Sequence, residues 1–225
     1  MTDERRDIQE SEYEYPYHWM LRRNTLRYYN LRTEIVLSML GPLAGKAVLD
    51  IGCGDGRFTS ALVKAGAARV AGIDISERAL RFARALVPEG EFLLANGRTL
   101  DFPDGAFDAV TSLEVIEHIP PDAMPGLIAE IARVLKPGGR LCLSTPSINL
   151  PLEPKHYRHW TPDALDELFA NRGFDDFSCR GLALHIPLLH RLNDFPILWK
   201  WMGFMIAPRN PRRAKTLIWS ARRKA

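Results

Sequence analysis

The chain has 225 residues and a mass of 25.5 kDa, with 46% apolar and 25% charged residues. That is the size of one domain with ordinary globular composition, which excludes collagen-like, disordered and disulfide-scaffold classes. Its net charge of +3 is unevenly placed: residues 1–15 carry −4, residues 208–225 carry +7, and the span between sums to zero. A neutral body is not that of a nucleic-acid sleeve.

Cys53, Cys142 and Cys179 form neither a disulfide framework nor a zinc signature. The opening is acidic and polar, unlike a secretory signal. The most apolar window, 195–207, is 13 residues long and includes Lys200, short of the roughly 20 needed to cross a bilayer. These features set the expectation of a cytoplasmic protein. Residues 1–16 are expected as a mobile acidic leader. Residues 17–225 are expected as a single domain, with a helical cap over 17–41 and an apolar and basic insertion over 183–215.

The pattern over Tyr17–Leu40 predicts a helix rich in aromatics. From residue 46 short apolar runs alternate with amphipathic stretches, the mark of a parallel sheet covered by helices. Lys46–Ile51 reads as a buried strand, Arg57–Ala65 as a helix closed by Gly66, and Arg69–Ile75 as a second strand. Ser76 is a good N-cap for the next helix, whose Ala79, Leu80, Ala83, Leu86 and Val87 share a face. Glu91–Leu94 and Phe107–Leu113 follow as strands. Asp122 is expected to cap a helix that stops at Lys136–Gly139, before a strand over Arg140–Thr145. Thr161-Pro162 starts another helix that ends at Gly173. Phe174–Gly181 and Thr216–Arg222 complete the set.

The most informative stretch is Val48-Leu49-Asp50-Ile51-Gly52-Cys53-Gly54-Asp55-Gly56, between the first strand and its helix. Open parallel sheets bind ligands at the carboxyl ends of their strands, and glycines let a ligand approach the backbone. Position 57 is Arg, so the spacing departs from the dinucleotide fingerprint. A second acid, Asp74, ends the next strand. A carboxylate there can accept bonds from vicinal ribose hydroxyls, and Asp50 could hold an ammonium group.

With LDFPDGAFDAV, SLEVIEHIP and VLKPGGRLCLSTP, these segments make the chain resemble the class I S-adenosylmethionine-dependent methyltransferases over residues 46–146, continuing to about 181. The resemblance implies an α/β, Rossmann-like fold: a seven-stranded sheet of order 3-2-1-4-5-7-6 with its last strand antiparallel and helices on both faces. It implies S-adenosylmethionine as cofactor and S-adenosylhomocysteine as product. Asp50, Gly52, Cys53 and Gly54 would serve the methionine end, Asp74 the ribose, and Ile75, Asn96 and Gly97 the adenine. Leu113 and Glu114 would lie beside the sulfonium.

For a hydroxyl acceptor, His118 is the expected general base, with Glu114 beside it. The pattern Glu114-x-x-Glu117-His118 is similar to that of small-RNA 3′-end methyltransferases and some quinone O-methyltransferases. Glu114, Glu117 and His118, with His156 or His159 downstream, could ligate a divalent metal. A metal is nonetheless not expected, because the motif also occurs in metal-free relatives. His156, Tyr157, Arg158, His159 and Trp160, in the loop Pro146–Pro162, are expected to face the acceptor, Arg158 through an acceptor carboxylate or phosphate.

The expected reaction is methyl transfer to a small or lipid-like acceptor, at oxygen. Residues 195–215 could bind an anionic membrane surface, or form a lid or a dimer interface, leaving monomer and homodimer both open. The alternatives are a metal-assisted enzyme acting on RNA 3′ ends, disfavoured by the neutral body, and an idle fold that binds cofactor and scaffolds a membrane or partner.

Overall fold

The computed structural model describes residues 10, 11, 13–184 and 210–225. Helix α1 (Arg23–Leu40) precedes the alternating unit β1 (Ala47–Ile51), α2 (Arg57–Lys64), β2 (Arg69–Asp74), α3 (Glu77–Leu86), β3 (Glu91–Leu94) and β4 (Phe107–Leu113). After it come α4 (Met124–Val134), β5 (Leu135–Pro146), α5 (Pro162–Ala170), β6 (Phe174–Leu184) and β7 (Ala214–Arg223). The strands form one sheet of order β3-β2-β1-β4-β5-β7-β6. β1 to β5 pair in parallel, and β7 runs antiparallel to both β5 and β6.

Strand alternation divides the core. Leu49, Ala71, Val110 and Leu141 face Leu127, Ile128 and Ile131 of α4 and Leu165 and Phe169 of α5. Their neighbours Val48, Val70, Ala109 and Cys142 face Val36, Met39 and Leu40 of α1 and Phe58 and Leu62 of α2. A two-residue period thus presents one apolar row to each helical layer. Ser76 and Thr161 cap α3 and α5 by accepting from Ala79 N and Ala164 N at 3.1 Å each.

Five expectations need correction. The helix expected from Tyr17 begins at Arg23, and Tyr17–Met20 is a turn; His18 and Trp19 are bound instead to the loop after β1. Asp122 is not the N-cap of α4, which starts at Met124 after Ala123, with Pro125 fixing φ in its first turn. The stop signal Lys136–Gly139 lies inside β5, because Leu135 already pairs with Phe107 and the register shifts before Ala109 meets Arg140. Gly138, at φ 74°, accommodates the detour. Within the expected leader Tyr13 packs instead, at 4% exposed, and Glu10 bonds to the start of the helix at Glu77, while Tyr15 stays exposed. The final strands are longer than expected, β6 reaching Leu184 and β7 starting at Ala214. Most of the expected insertion, 185–209, lies outside the described residues.

Candidate functional site

The loop after β1 is tied to the end of β2. Gly52 N and Cys53 N donate to Ile73 O at 2.8 and 3.0 Å, and Gly54 N donates to Asp74 Oδ2 at 2.9 Å. Asp74 Oδ1 accepts from Ser76 N at 2.9 Å. Its carboxylate therefore ties the glycine loop to the start of α3, and burial raises its pKa against the opposing pull of those backbone donors. At Gly52, φ is 73° and a Cβ would stand 2.3 Å from Val115 Cγ2, so only glycine lets β1 turn there.

Asp50 is held differently. Its two oxygens accept from Thr59 Oγ1 and Thr111 Oγ1, both at 2.8 Å. Burial pushes its carboxyl up to about 6, although both threonine hydroxyls favour the ionised form.

A cavity of about 240 Å³ opens over these strand ends. It brings together Gly52, Asp74, Ile75, Asn96, Gly97, Leu113, Glu114 and His118 among the residues the sequence pointed to. Asp50, Cys53 and Gly54 lie behind its wall. Asn96 Oδ1 accepts from Arg98 N at 3.0 Å, which turns the chain into the cavity and leaves a second lone pair and the amide donors.

Glu114 ends β4 with φ 56°, an uncommon conformation for a residue with a side chain. Its N–H donates to Ser144 O at 2.9 Å, while Ser144 Oγ donates to its Oε1 at 2.6 Å. Arg32 of α1 approaches the same oxygen at 3.5 Å. Arg32 is 9% exposed and stacks 4.9 Å from the Tyr29 ring centroid, and its Nε makes no hydrogen bond among the described residues. Tyr17, an aromatic of the expected N-terminal cap, lines the cavity, and so do Arg32, Tyr13, His18 and Lys155, which sequence reading missed. No local motif marks them; the fold alone brings them there.

Three imidazoles stand in series beyond Glu114. His118 Nδ1 lies 3.3 Å from Lys155 O, and His159 Nδ1 lies 3.1 Å from Leu150 O. A carbonyl only accepts, so each neutral ring donates from Nδ1 and keeps its Nε2 lone pair. His159 Nε2 in turn accepts from His156 Nδ1 at 2.8 Å. His156 packs edge-on to His118 with centroids 4.7 Å apart. Burial and then the neighbouring His118 lower its pKa to about 4, so it stays neutral at pH 7.

Glu117 is 1% exposed and accepts from Thr145 Oγ1 at 3.1 Å. Burial first, and Glu114 next, push its carboxyl well above the usual range. Ligand atoms of Glu117, His118 and His156 lie within 4.8 Å of one another. Glu114, turned to Ser144 and Arg32, and His159, behind His156, do not join them. Of the expected acceptor residues, Trp160 is buried and carries Arg158 on its ring at 4.8 Å, and Tyr157 N donates to Glu117 O at 2.7 Å. None of the five from His156 to Trp160 lines the cavity; Lys155 does.

Comparison with known proteins places this geometry. Residues 49–143 match the family model described as a methyltransferase domain. A Mycobacterium tuberculosis protein, named a probable S-adenosylmethionine-dependent methyltransferase, is 33% identical over 174 residues, covering 74% of this chain and 62% of its own. The ubiquinone biosynthesis O-methyltransferase of Alkalilimnicola ehrlichii is 39% identical over 132 residues, covering 56% of this chain and 51% of its own. The chain thus spans between half and two thirds of the length of these relatives. A solved S-adenosylmethionine-dependent methyltransferase from Mesorhizobium loti superposes with a TM-score of 0.64 at 21% identity, covering 84% of this chain and 96% of that one. With strand order, motif positions and relatives in agreement, the chain carries a domain of the class I S-adenosylmethionine-dependent methyltransferase family.

Proposed function

We propose that the protein transfers a methyl group from S-adenosylmethionine to a hydroxyl of a small or lipid-linked acceptor. One observation carries this reading. A single cavity is walled at one end by Gly52, Asp74 and Asn96 and at the other by Leu113, Glu114 and His118, so a nucleoside cofactor and a base share one space.

The residues present fit that cofactor. Asp74 retains lone pairs for ribose hydroxyls beyond the backbone donors it already satisfies, and Ile75 and Asn96 flank the place for adenine. Arg32, a buried cation with an unsatisfied Nε, suits the carboxylate of the amino-acid end. The sulfonium supplies the methyl group when the cofactor is bound. His118 Nε2 receives the acceptor proton as the oxygen attacks in line, and the bond to Lys155 O holds the ring in that tautomer. Glu114, fixed by Ser144, presents negative charge toward the cavity.

Support for a lipid-linked acceptor comes from the O-methyltransferases of ubiquinone biosynthesis among the relatives and from the tryptophan-rich sequence 195–207 with its following arginines. Among the described residues, no helix is long and apolar enough to cross a membrane. Flotation with anionic vesicles tests whether the chain reaches a membrane surface.

A metal-assisted variant is the second reading, favoured by the convergence of Glu117, His118 and His156. Two imidazoles and a carboxylate suit a borderline divalent ion such as zinc. Metal content of the purified protein, before and after chelation, separates the two readings.

The test of the leading proposal is calorimetric titration with S-adenosylhomocysteine, followed by a screen of cell extract with radiolabelled methyl donor. Saturable binding and label on a small extractable molecule are expected. No binding would overturn the cofactor reading, binding with no label transferred would favour the idle scaffold, and label on RNA would replace the acceptor class.

A further inference from the structure

Glu10 and residues 13–19 lie against the glycine loop and the start of α3, and polar contacts have a larger share in holding them there than in holding the helix that follows. Helix α1 is anchored by apolar side chains, with Val36 and Leu40 buried among the residues of β1, α2 and β7. The segment before it buries less, with Tyr13 enclosed and Trp19 resting on the cluster of Cys53, Leu80 and Phe92, and it is tied by polar contacts at two points. Glu10 reaches the start of α3, accepting from Ser76 Oγ at 3.1 Å, Glu77 N at 2.8 Å and Arg78 N at 3.3 Å. The second point is Asp55, in the glycine loop itself.

Asp55 is completely buried and takes both its side-chain partners from this segment: His18 N donates to Oδ2 and His18 Nδ1 to Oδ1, each at 3.0 Å. Its carbonyl accepts from Trp19 Nε1 at 3.0 Å, and Arg57 Nη1 returns a bond to His18 O at 2.9 Å. Between the two anchors, Tyr13, Tyr17 and His18 form one wall of the cavity. The Tyr13 hydroxyl would lie 2.5 Å from a Cβ placed on Gly54. The glycine at 54 thus makes room for this segment.

We propose that residues 13–19 are a strap that forms part of the cofactor site, that Asp55 and His18 are its latch, and that the latch must release for cofactor to enter or leave. The proposal rests on the cofactor reading given above. Polar anchors exchange readily with water once exposed, and the strap buries fewer apolar side chains than α1, which encloses Ile35, Val36, Met39 and Leu40, so the strap can lift while α1 stays packed. The glycine loop and the latch are contiguous in sequence, Gly54 beside Asp55. A ligand seated on that loop against Tyr13 therefore favours the closed strap, and the closed strap favours the ligand.

Stopped-flow binding of S-adenosylhomocysteine to the full chain tests this, together with hydrogen exchange of residues 13–19. In the wild-type protein, ligand slows exchange in 13–19 while α1 changes little. His18→Ala and Asp55→Asn each raise the dissociation rate roughly tenfold or more, the scale of a lost charge-assisted hydrogen bond. Association stays equal or becomes faster, because the open state is populated more. The double variant is no worse than the more affected single one, since both remove one pair. Damage to the glycine loop by Asp55→Asn would slow association instead; His18→Ala, on the strap, avoids it. Unchanged dissociation in His18→Ala, or ligand binding with no protection of 13–19, overturns the strap. Failure of the wild-type protein to bind S-adenosylhomocysteine overturns the cofactor reading itself.

Discussion

At one end of the cavity the groups come from consecutive strand tips. Asp74 and the glycine loop are joined through backbone N–H groups, and Asp50 is enclosed by two threonines from neighbouring elements. At the other end the groups come from loops far apart in the chain, with His118 after β4 and Lys155 after β5, and with His156 and His159 in series behind His118. The first end is rigid because parallel pairing fixes where strands stop. The second is positioned by side chain to carbonyl bonds, which leave room for different acceptors. A domain family can thereby keep one cofactor and vary its substrate.

The largest expected effect lies at the loop end. With the acceptor found by label transfer, His118→Ala lowers kcat by roughly a hundredfold, the low end for a lost general base, while S-adenosylhomocysteine affinity stays within about threefold. An equal loss in affinity would mean that the two ends are not separable and that His118 shapes the cofactor site.

The same contrast explains what could be read from the sequence. Short apolar runs with acids at their ends, Val48–Asp50 and Ala71–Asp74, carry their strand position and their chemistry in one local pattern. The sheet order followed from the resemblance those runs support, and the structure has it. Arg32, Tyr13 and His18 carry no such pattern: each enters the cavity because a distant segment folds over it. The loop histidines were visible as residue types, but their roles depend on which carbonyl each ring meets. Trp160 and Arg158 show the cost of reading a loop by composition, since one is buried and the other lies on its ring. The start of α1 was misplaced for a related reason: apolar and aromatic residues at 17–19 look helical, but Asp55 binds His18 and Trp19 in a turn.

Arg32 stands between the two ends, so its replacement tells which end it serves. Arg32→Met is expected to weaken S-adenosylhomocysteine roughly ten- to a hundredfold, the range for a charge-assisted pair. It should leave 5′-methylthioadenosine, which lacks the amino-acid end, within about threefold. Equal losses for both ligands would place Arg32 in the scaffold, as a partner of Glu114 only.

The smallest expected effect is at Asp50, where the rigid end can be tested for what its rigidity costs. Its carboxyl has a folded value of about 6 against an ordinary 3.8. The folded state thus binds this proton more tightly than the unfolded chain. The stability it contributes is complete below pH 3.8 and is lost as the pH rises through about 6. Asp50→Asn removes that loss and keeps the packing. The amide oxygen accepts from Thr59, while the amide N–H donates to Thr111, whose hydroxyl already lies 3.4 Å from Leu49 O and can turn to it. The variant should therefore match or exceed the wild type at pH 8, by on the order of 1–2 kcal/mol, with a flatter melting profile between pH 4 and 7. Because Asp50 lies behind the cavity wall, S-adenosylhomocysteine affinity should change less than about threefold. A melting temperature lowered at pH 8 would show that the ionised carboxylate earns its burial through the two threonines. A tenfold fall in affinity would instead give Asp50 the ammonium of the cofactor to hold, across the wall and through water, and the rigid end would then be part of recognition as well as of the frame.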